Sequence, residues 1–342
     1  MDADRPSLPY YRGRMQAVLA TAPGGPEVLT VHDVPDPEPG RGALLVRLAA
    51  AGLNFIDTYR RSGVYPVEFP HVPGSEGAGV VEAVGAGVDG FTVGDRVAWE
   101  SAPGSYAELV LVPADRAVPV PADVPLETAA ALMLQGLTAH YLVTSTYAVS
   151  PGDDVLLTGG AGGVGLLATQ LATARGARVV TTVGDADKEA LARAAGAADV
   201  IRYRELDDLT TDLPRIVRDL TDGAGVAVAY DGIGKDTFDA SLASVRRRGT
   251  LVLFGGASGQ VPPFDLQRLN RAGSLFVTRP TLGDYVATRD ELLGRCADLF
   301  AAVGAGTLDV RVGATFPLTD AAAAHRALEG RSTTGKVLLV PA

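Results

Sequence analysis

Cysteine is nearly absent from this sequence of 342 residues, where Cys296 stands alone. One thiol cannot close an internal disulfide, and it cannot supply a zinc site that needs several cysteines. Cys296 lies in an Ala/Leu-rich helical stretch and reads as a core residue. Histidine is sparse as well: His32, His71, His140 and His325 are scattered along the chain. No apolar run approaches the roughly 18 residues that a membrane-spanning helix needs. The first residues, MDADRPSLPYYRGR, are polar and lack the apolar stretch of a secretory leader. Basic charge is in deficit, with 30 Lys and Arg against 40 Asp and Glu, a formal net charge of −10. A generic nucleic-acid binder is normally basic, so that class is disfavoured. The expectation is a cytoplasmic protein with neither a membrane nor a nucleic-acid partner.

What is present is ordinary globular composition, 47% apolar and 20% charged, long enough for two domains. Residues 1–14 read as a tail. From Met15 to about 120, short β-type runs alternate with Gly/Pro turns: Ala43–Leu48, Gly79–Val84, Asp95–Trp99 and Tyr106–Val112. That spacing predicts a small barrel or partly open sheet. Thr128–Tyr147 is helical in pattern. Beyond it strands and helices alternate. The predicted strands are Asp154–Thr158, Arg178–Val183, Val200–Tyr203, Val226–Tyr230, Thr250–Phe254 and Leu275–Thr278, with helices over 163–175, 187–196, 209–221 and 235–246. These strands are continuous apolar runs, as in a parallel sheet covered on both faces, and the βα alternation is the doubly wound dinucleotide-binding layout. The end of the chain does not extend that series. Its helices near 288–304 and 320–330 and its strand Lys336–Val340 are expected to return to the first domain. The resulting division is a tail at 1–14, a first domain at 15–135, a cofactor domain at 136–280 and a return segment at 281–342.

The strongest local signal is Gly160, Gly162 and Gly165, a G-x-G-x-x-G directly after a strand and before a helix. The glycines allow a tight turn, let a pyrophosphate approach the backbone, and let helix and strand pack closely. The free N–H groups of the helix start then face the anion. The choice of dinucleotide stays open on the residues alone. Lys188 could neutralise a 2′-phosphate, whereas Asp185 and Asp187 repel one.

Several segments resemble the quinone oxidoreductases of the zinc-free branch of the medium-chain dehydrogenase/reductase superfamily, the zeta-crystallin-like group. They are Gly24–Leu29, Asn54–Tyr59 with Arg61–Pro66, Pro73–Gly79, Gly152–Gln170, Gly273–Pro280 and the Gly335-Lys336 ending. The resemblance spans about residues 15–342. It implies an α/β chain with a GroES-like β-barrel catalytic domain and a Rossmann cofactor domain. It implies NADPH, with NADH the lesser alternative, and a homodimer. By the same resemblance Phe55 to Tyr59 wall the nicotinamide end, and Tyr141, Gly163 and Val164 join the three motif glycines in holding the cofactor. Gly184, Lys188 and Tyr203 form the adenosine 2′-phosphate site, with Arg331 as a late basic contact. Phe254, Gly255 and Gly256 follow the fifth strand, and Phe276, Val277 and Thr278 line the cleft. The sequence departs from the family at Gln135, where Lys is common, at Gly232, where Ser is common, and at the acidic pair Asp185 and Asp187.

Zinc alcohol dehydrogenases share this expected fold, but Asn54 stands at the thiolate place and Ser75 at the His place, and Glu76 alone cannot hold the ion. No metal is expected. Without a Lewis acid to stabilise an alkoxide, the expected acceptor is a quinone or a conjugated enone. Asn54, Tyr59 and Tyr65 are the candidate donors to the growing oxyanion, with Asp57 orienting them. Against this, Tyr59 could simply pack in the barrel wall and Asp57 could cap a helix. The pocket that separates quinone from enone reduction is placed near Tyr59, Tyr65 and His140. A different class also stays open: a non-catalytic NADPH-binding or RNA-binding protein, with Arg246–Arg248 as a basic patch or, more plainly, a solvated helix end. The apolar sixth strand, at a sheet edge near 273–280, is expected to pair with a second copy.

Overall fold

The computed structural model describes residues 13–341, so nearly all of the expected tail lies outside the described residues. The first third contributes β1 (Arg14–Ala20), β2 (Leu29–Pro35), β3 (Ala43–Leu53), α1 (Phe55–Arg61), β4 (Glu76–Val84), β5 (Arg96–Trp99), β6 (Leu109–Pro113) and β7 (Val118–Pro119). β3 is the spine: β4 and β6 both pair with it antiparallel. Its side chains Leu44, Val46, Leu48, Ala51 and Leu53 are buried in the barrel core with Trp99 and Tyr106. The expected strands are found, and β1 and β2 form a separate antiparallel pair that touches the barrel through Ala17 and Ala107.

α2 (Leu126–Tyr141) follows and ends in a π-turn over Leu142–Thr146. It crosses positions 135 and 136, as the helical pattern over Thr128–Tyr147 requires. The reason is packing: small residues such as Ala129, Ala130 and Ala131 are fully buried, and the helix lies against β3 and β4 as well as the second domain.

The second domain is built from β8 (Asp154–Thr158), α3 (Gly163–Ala174), β9 (Arg178–Val183), α4 (Ala186–Ala194), β10 (Asp199–Arg202), α5 (Leu209–Leu220), β11 (Val226–Asp231), α6 (Phe238–Ser244), β12 (Val245–Leu253), α7 (Gln267–Arg271) and β13 (Phe276–Thr278). Its sheet order is β10-β9-β8-β11-β12-β13, and every pairing is parallel. The order reverses beside β8, which places a ligand crevice at the carboxyl ends of the strands. One helix is shorter than expected. Val245 is buried in register with Val226, so the chain enters β12 there and Arg246–Arg248 stand exposed on a strand rather than at a helix end. Asp231, at the end of β11, is fully buried and accepts from Ile233 N, Thr237 Oγ1 and Ser241 Oγ at 2.7–2.9 Å, which fixes the turn into α6.

The return segment holds α8 (Leu282–Tyr285), α9 (Arg289–Gly304), β14 (Val312–Pro317), α10 (Ala321–Glu329) and β15 (Lys336–Val340). α9 packs on α2, with Cys296 buried as expected and its thiol pushed up to about 12 by burial. β15 pairs antiparallel with β3, so the last strand completes the barrel sheet. Just before it, Gly335 N donates to Ala161 O at 2.9 Å, which ties the chain end to the turn after β8.

Candidate active site between the two domains

The turn between β8 and α3 is shaped by backbone proximity. A Cβ on Gly165 would sit 2.3 Å from Gly159 O, and one on Gly160 would sit 2.2 Å from Thr181 Oγ1. Neither position admits a side chain. Gly162 is the N-cap of α3, followed by Gly163 and Val164, and no side chain caps its first N–H groups. Those donors are left for an anion. The residues therefore fit the pyrophosphate of a dinucleotide.

At the end of β9 the structure sets Tyr203 and Arg204 against Gly184, and Lys188 follows in the first turn of α4. A Cβ on Gly184 would lie 3.2 Å from Tyr203 Oη and 3.4 Å from Arg204 Nε. Arg204 was not among the sequence candidates. A basic residue directly after Tyr203 was the available signal. No ion pair neutralises Arg204 among the described residues. Asp185 caps α4, its carboxylate accepting from Lys188 N at 2.9 Å and lying 3.9 Å from the Lys188 ammonium. The Lys188 ammonium donates to Arg331 O at 2.6 Å, which brings the late basic segment alongside. The Arg331 side chain itself faces Asp236 at 4.0 Å.

The other end of the cleft is walled by Phe55, Tyr59 and Tyr65. Tyr59 lies edge-on to Tyr65 with ring centroids 5.5 Å apart, and 6.3 Å from Phe55. Its hydroxyl faces Gly256 of the second domain, where a Cβ would sit 4.0 Å away. Burial, then Tyr65, push the Tyr59 hydroxyl up to about 12, against the pull of Arg279. It stays protonated at neutral pH and can donate. The Phe254 ring fills the space over Gly232, where a Cβ would meet it at 2.6 Å, so glycine there makes room for the ring.

Other candidates are placed differently. Tyr141 is 2% exposed and stacked on Tyr285 at 4.3 Å, inside the core. Phe276 and Val277 stand exposed on the edge strand, with Thr278 half-buried beside them. His140 is not in the cleft. It lies between α2 and α9, 3.2 Å from Asp298, beside a cavity of about 550 Å³ that also touches Arg175 and Arg295. The helical pattern had placed it on α2 without showing which face it occupies.

Asn54 is the main correction among the catalytic candidates. It is 4% exposed, and its Nδ2 donates to Glu76 Oε1 and toward Gly52 O, so its donors point into the protein. Its Oδ1 accepts from Lys336 Nζ at 2.9 Å and from Gln135 Nε2 at 3.2 Å. The Lys336 ammonium also ion-pairs with Glu76, both side chains being fully buried. Asn54 therefore anchors α1 and is not an oxyanion donor. Ser75 accepts from Arg60. The places where a zinc enzyme of this fold would carry ligands thus hold a carboxamide, a hydroxyl and a carboxylate already paired to an amine. This donor set does not fit zinc.

Asp57 does cap a helix. Its Oδ2 accepts from Asn54 N at 2.9 Å and from Tyr106 Oη at 3.1 Å. Burial pushes it up to about 6, against the backbone donor of Asn54 and the charges of Arg60 and Lys336. Behind Tyr106 lies buried His325, held neutral by burial and by Arg61, with its pKa down at about 3. Arg61 Nη1 sits 2.9 Å from His325 Nδ1, and Arg61 Nη2 reaches Glu329 at 2.7 Å.

Two predictions follow from these buried groups. Lys336→Met leaves Glu76 unpaired in the core and should lower the unfolding free energy by about 3–5 kcal/mol. Adding Glu76→Gln should recover part of that loss in denaturant titrations, and an additive double variant contradicts the pairing. Asp57 gives the second. The folded chain holds this proton up to about 6, while the unfolded chain releases it near 3.8. Its contribution is therefore full below the lower value and is lost as pH rises through about 6, about 3 kcal/mol in all. The stability difference between wild type and Asp57→Asn should shift by that amount between about pH 3 and pH 7. A pH-independent difference refutes it.

Comparison with known proteins adds to this geometry. Residues 40–122 match the alcohol dehydrogenase GroES-like domain, and residues 163–292 match the zinc-binding dehydrogenase model. A quinone oxidoreductase of Pseudomonas aeruginosa is 46% identical over 320 residues, covering 93% of this chain and 97% of that protein. A 2-haloacrylate reductase of Burkholderia is 42% identical over 335 residues, covering 96% and 99%. A mycobacterial structure solved with NADPH superposes with a TM-score of 0.92 at 52% identity, covering 96% of this chain and all of that one. With identities of this size across both domains, and with the Gly-rich turn and aromatic wall in place, the chain belongs to the medium-chain dehydrogenase/reductase superfamily, in its quinone oxidoreductase family.

Proposed function

We propose that the protein is a zinc-independent, NADPH-dependent quinone reductase. The observation that carries this reading is the meeting of Tyr59 with Gly256 across the cleft, beside a donor set unsuited to zinc. Bound NADPH supplies the hydride. The turn at Gly160–Gly165 holds its pyrophosphate, and Phe55 and Phe254 exclude water from its reactive end. The protonated Tyr59 hydroxyl donates to the oxygen that gains charge on the acceptor, with Tyr65 packed against it. Lys188, Tyr203 and Arg204 around Gly184 favour a 2′-phosphate, and thus NADPH over NADH.

A second reading, reduction of an activated C=C bond in an enone, is favoured by the relation to the 2-haloacrylate reductase. A reducing, cytoplasmic location suits a chain whose one thiol is buried. We also place a homodimer at β13, the free edge of the six-stranded sheet, where Phe276 is 62% exposed. An open apolar edge is stabilised by pairing with a second copy.

NADPH oxidation with 1,4-benzoquinone, 9,10-phenanthrenequinone and a 2-alkenal tests the activity. Quinone turnover unaffected by a chelator is expected. Turnover with the alkenal alone favours the second reading, and tight NADPH binding without any turnover favours a non-catalytic protein. Lys188→Ala with Arg204→Ala should weaken NADPH binding at least tenfold and change NADH binding little, read by fluorescence titration. Equal loss for both cofactors refutes the 2′-phosphate site. Phe276→Asp should convert a dimer to a monomer in sedimentation, and a monomeric wild type at micromolar concentration overturns the edge pairing.

A further inference from the structure

The carboxyl end of α10 makes contacts in two directions within three residues, Glu329 to Arg331. Toward α1, the Glu329 carboxylate accepts from Arg61 Nη2 at 2.7 Å and from Arg61 Nη1 at 3.1 Å. Arg61 is 2% exposed, its Nε donates to Gly24 O at 3.1 Å, and Glu329 is the carboxylate that pairs with it among the described residues. Tyr59 stands on the same short helix, half a turn before Arg61. Toward α4, the Arg331 carbonyl accepts from the Lys188 ammonium at 2.6 Å. The backbone between Glu329 and Arg331 is tightly fixed. Gly330 closes α10, Arg331 N donates to Leu328 O at 3.1 Å, and Ser332 N donates to Ala327 O at 3.3 Å. Arg331 has a φ of +56° in this cap, at a place usually taken by glycine. A side chain in that conformation persists where its neighbours over-determine it. Here Lys188 holds the carbonyl and Asp236 lies 4.0 Å from the guanidinium.

We propose that Glu329 is a positioning residue that couples the 2′-phosphate site to the acceptor wall. The inference rests on the reductase reading above, and it gives the 2′-phosphate a part in turnover beyond binding. An ammonium has three donors, and the Arg331 carbonyl takes one of those on Lys188. A 2′-phosphate takes another and immobilises the side chain, so the bond to Arg331 then forms without further loss of side-chain freedom. The end of α10 is thereby held against α4. Glu329 is presented to Arg61 in one position, and α1 holds Tyr59 at the acceptor. A cofactor without the 2′-phosphate leaves Lys188 mobile and the helix end loosely held. The coupling is reciprocal, so a ligand that orders α1 also tightens the 2′-phosphate site.

Hydrogen exchange reads this coupling directly. Adenosine 2′,5′-bisphosphate carries the 2′-phosphate but no nicotinamide, and AMP is the control that lacks the 2′-phosphate. At saturation the bisphosphate should slow exchange over Phe55–Arg61 at least threefold, and AMP should not. Glu329→Ala should abolish that slowing while still binding the bisphosphate. Glu329→Gln, which keeps a neutral acceptor for Arg61, should retain part of it. In turnover of 1,4-benzoquinone at saturating cofactor, wild-type kcat with NADPH should exceed that with NADH at least fivefold. In Glu329→Ala the two kcat values should agree within twofold, whereas a residue that only supports the fold would lower both alike. Exchange in α1 unmoved by the bisphosphate in the wild type overturns the proposal, and that measurement needs no variant. A slowing that survives Glu329→Ala, or a kcat ratio unchanged in it, overturns it as well. Tight bisphosphate binding with no response in α1 defeats this inference alone. A bisphosphate bound no more tightly than AMP defeats the 2′-phosphate site beneath it, and absence of quinone turnover defeats the reductase reading.

Discussion

Lys336 and Glu76 meet in a place that water does not reach, each fully buried and each tolerable there because of the other. Neither charge could be left alone at that depth without a cost of several kcal/mol. Their pairing decides more than local stability. Lys336 comes from the last strand and Glu76 from the fourth, so the carboxyl end of the chain must close the barrel before the amino-terminal fold is complete. The same ammonium holds Asn54 Oδ1, and Glu76 also accepts from Leu134 N on α2 at 2.6 Å. Barrel, bridging helix and chain end are thereby fixed on one point.

The cleft follows from that fixation. Asn54 begins α1, and Asp57 closes its first turn, so Tyr59 projects from a helix whose start is anchored in the buried cluster. On the other side, Gly335 is bonded to Ala161 in the phosphate turn. The residue before Lys336 therefore touches the turn after β8 while Lys336 holds the start of α1. A reaction that needs two reactants held in line gains from such a short rigid path between their sites. The internal ammonium of Lys336 also occupies Glu76, the one carboxylate at the places where zinc enzymes of this fold carry their ligands.

The expectations that the structure matched share a common character. The strands of the parallel sheet and the helices between them were legible because burial on both faces writes continuous apolar runs, and the glycine turn because its spacing is dictated by local backbone contact. The expectations that changed depended on distant partners. Asn54 looked like a free donor until Glu76, 22 positions away, accepted from its amide. His140 looked like a pocket residue until α9 supplied Asp298. Arg204 went unnoticed beside Tyr203 because only the fold of β9 against β10 brings it to Gly184.

By itself the sequence determined the class of the fold, the dinucleotide turn and the absence of thiolate ligands, since each is set by residues near one another in the chain. Tertiary structure alone decided which polar groups still have hydrogen-bonding capacity to offer a ligand. A side chain's chemistry is fixed by its type, but its availability depends on what long-range packing places against it, and that is how Asn54 became an anchor and Asp57 the group that closes the first turn of α1.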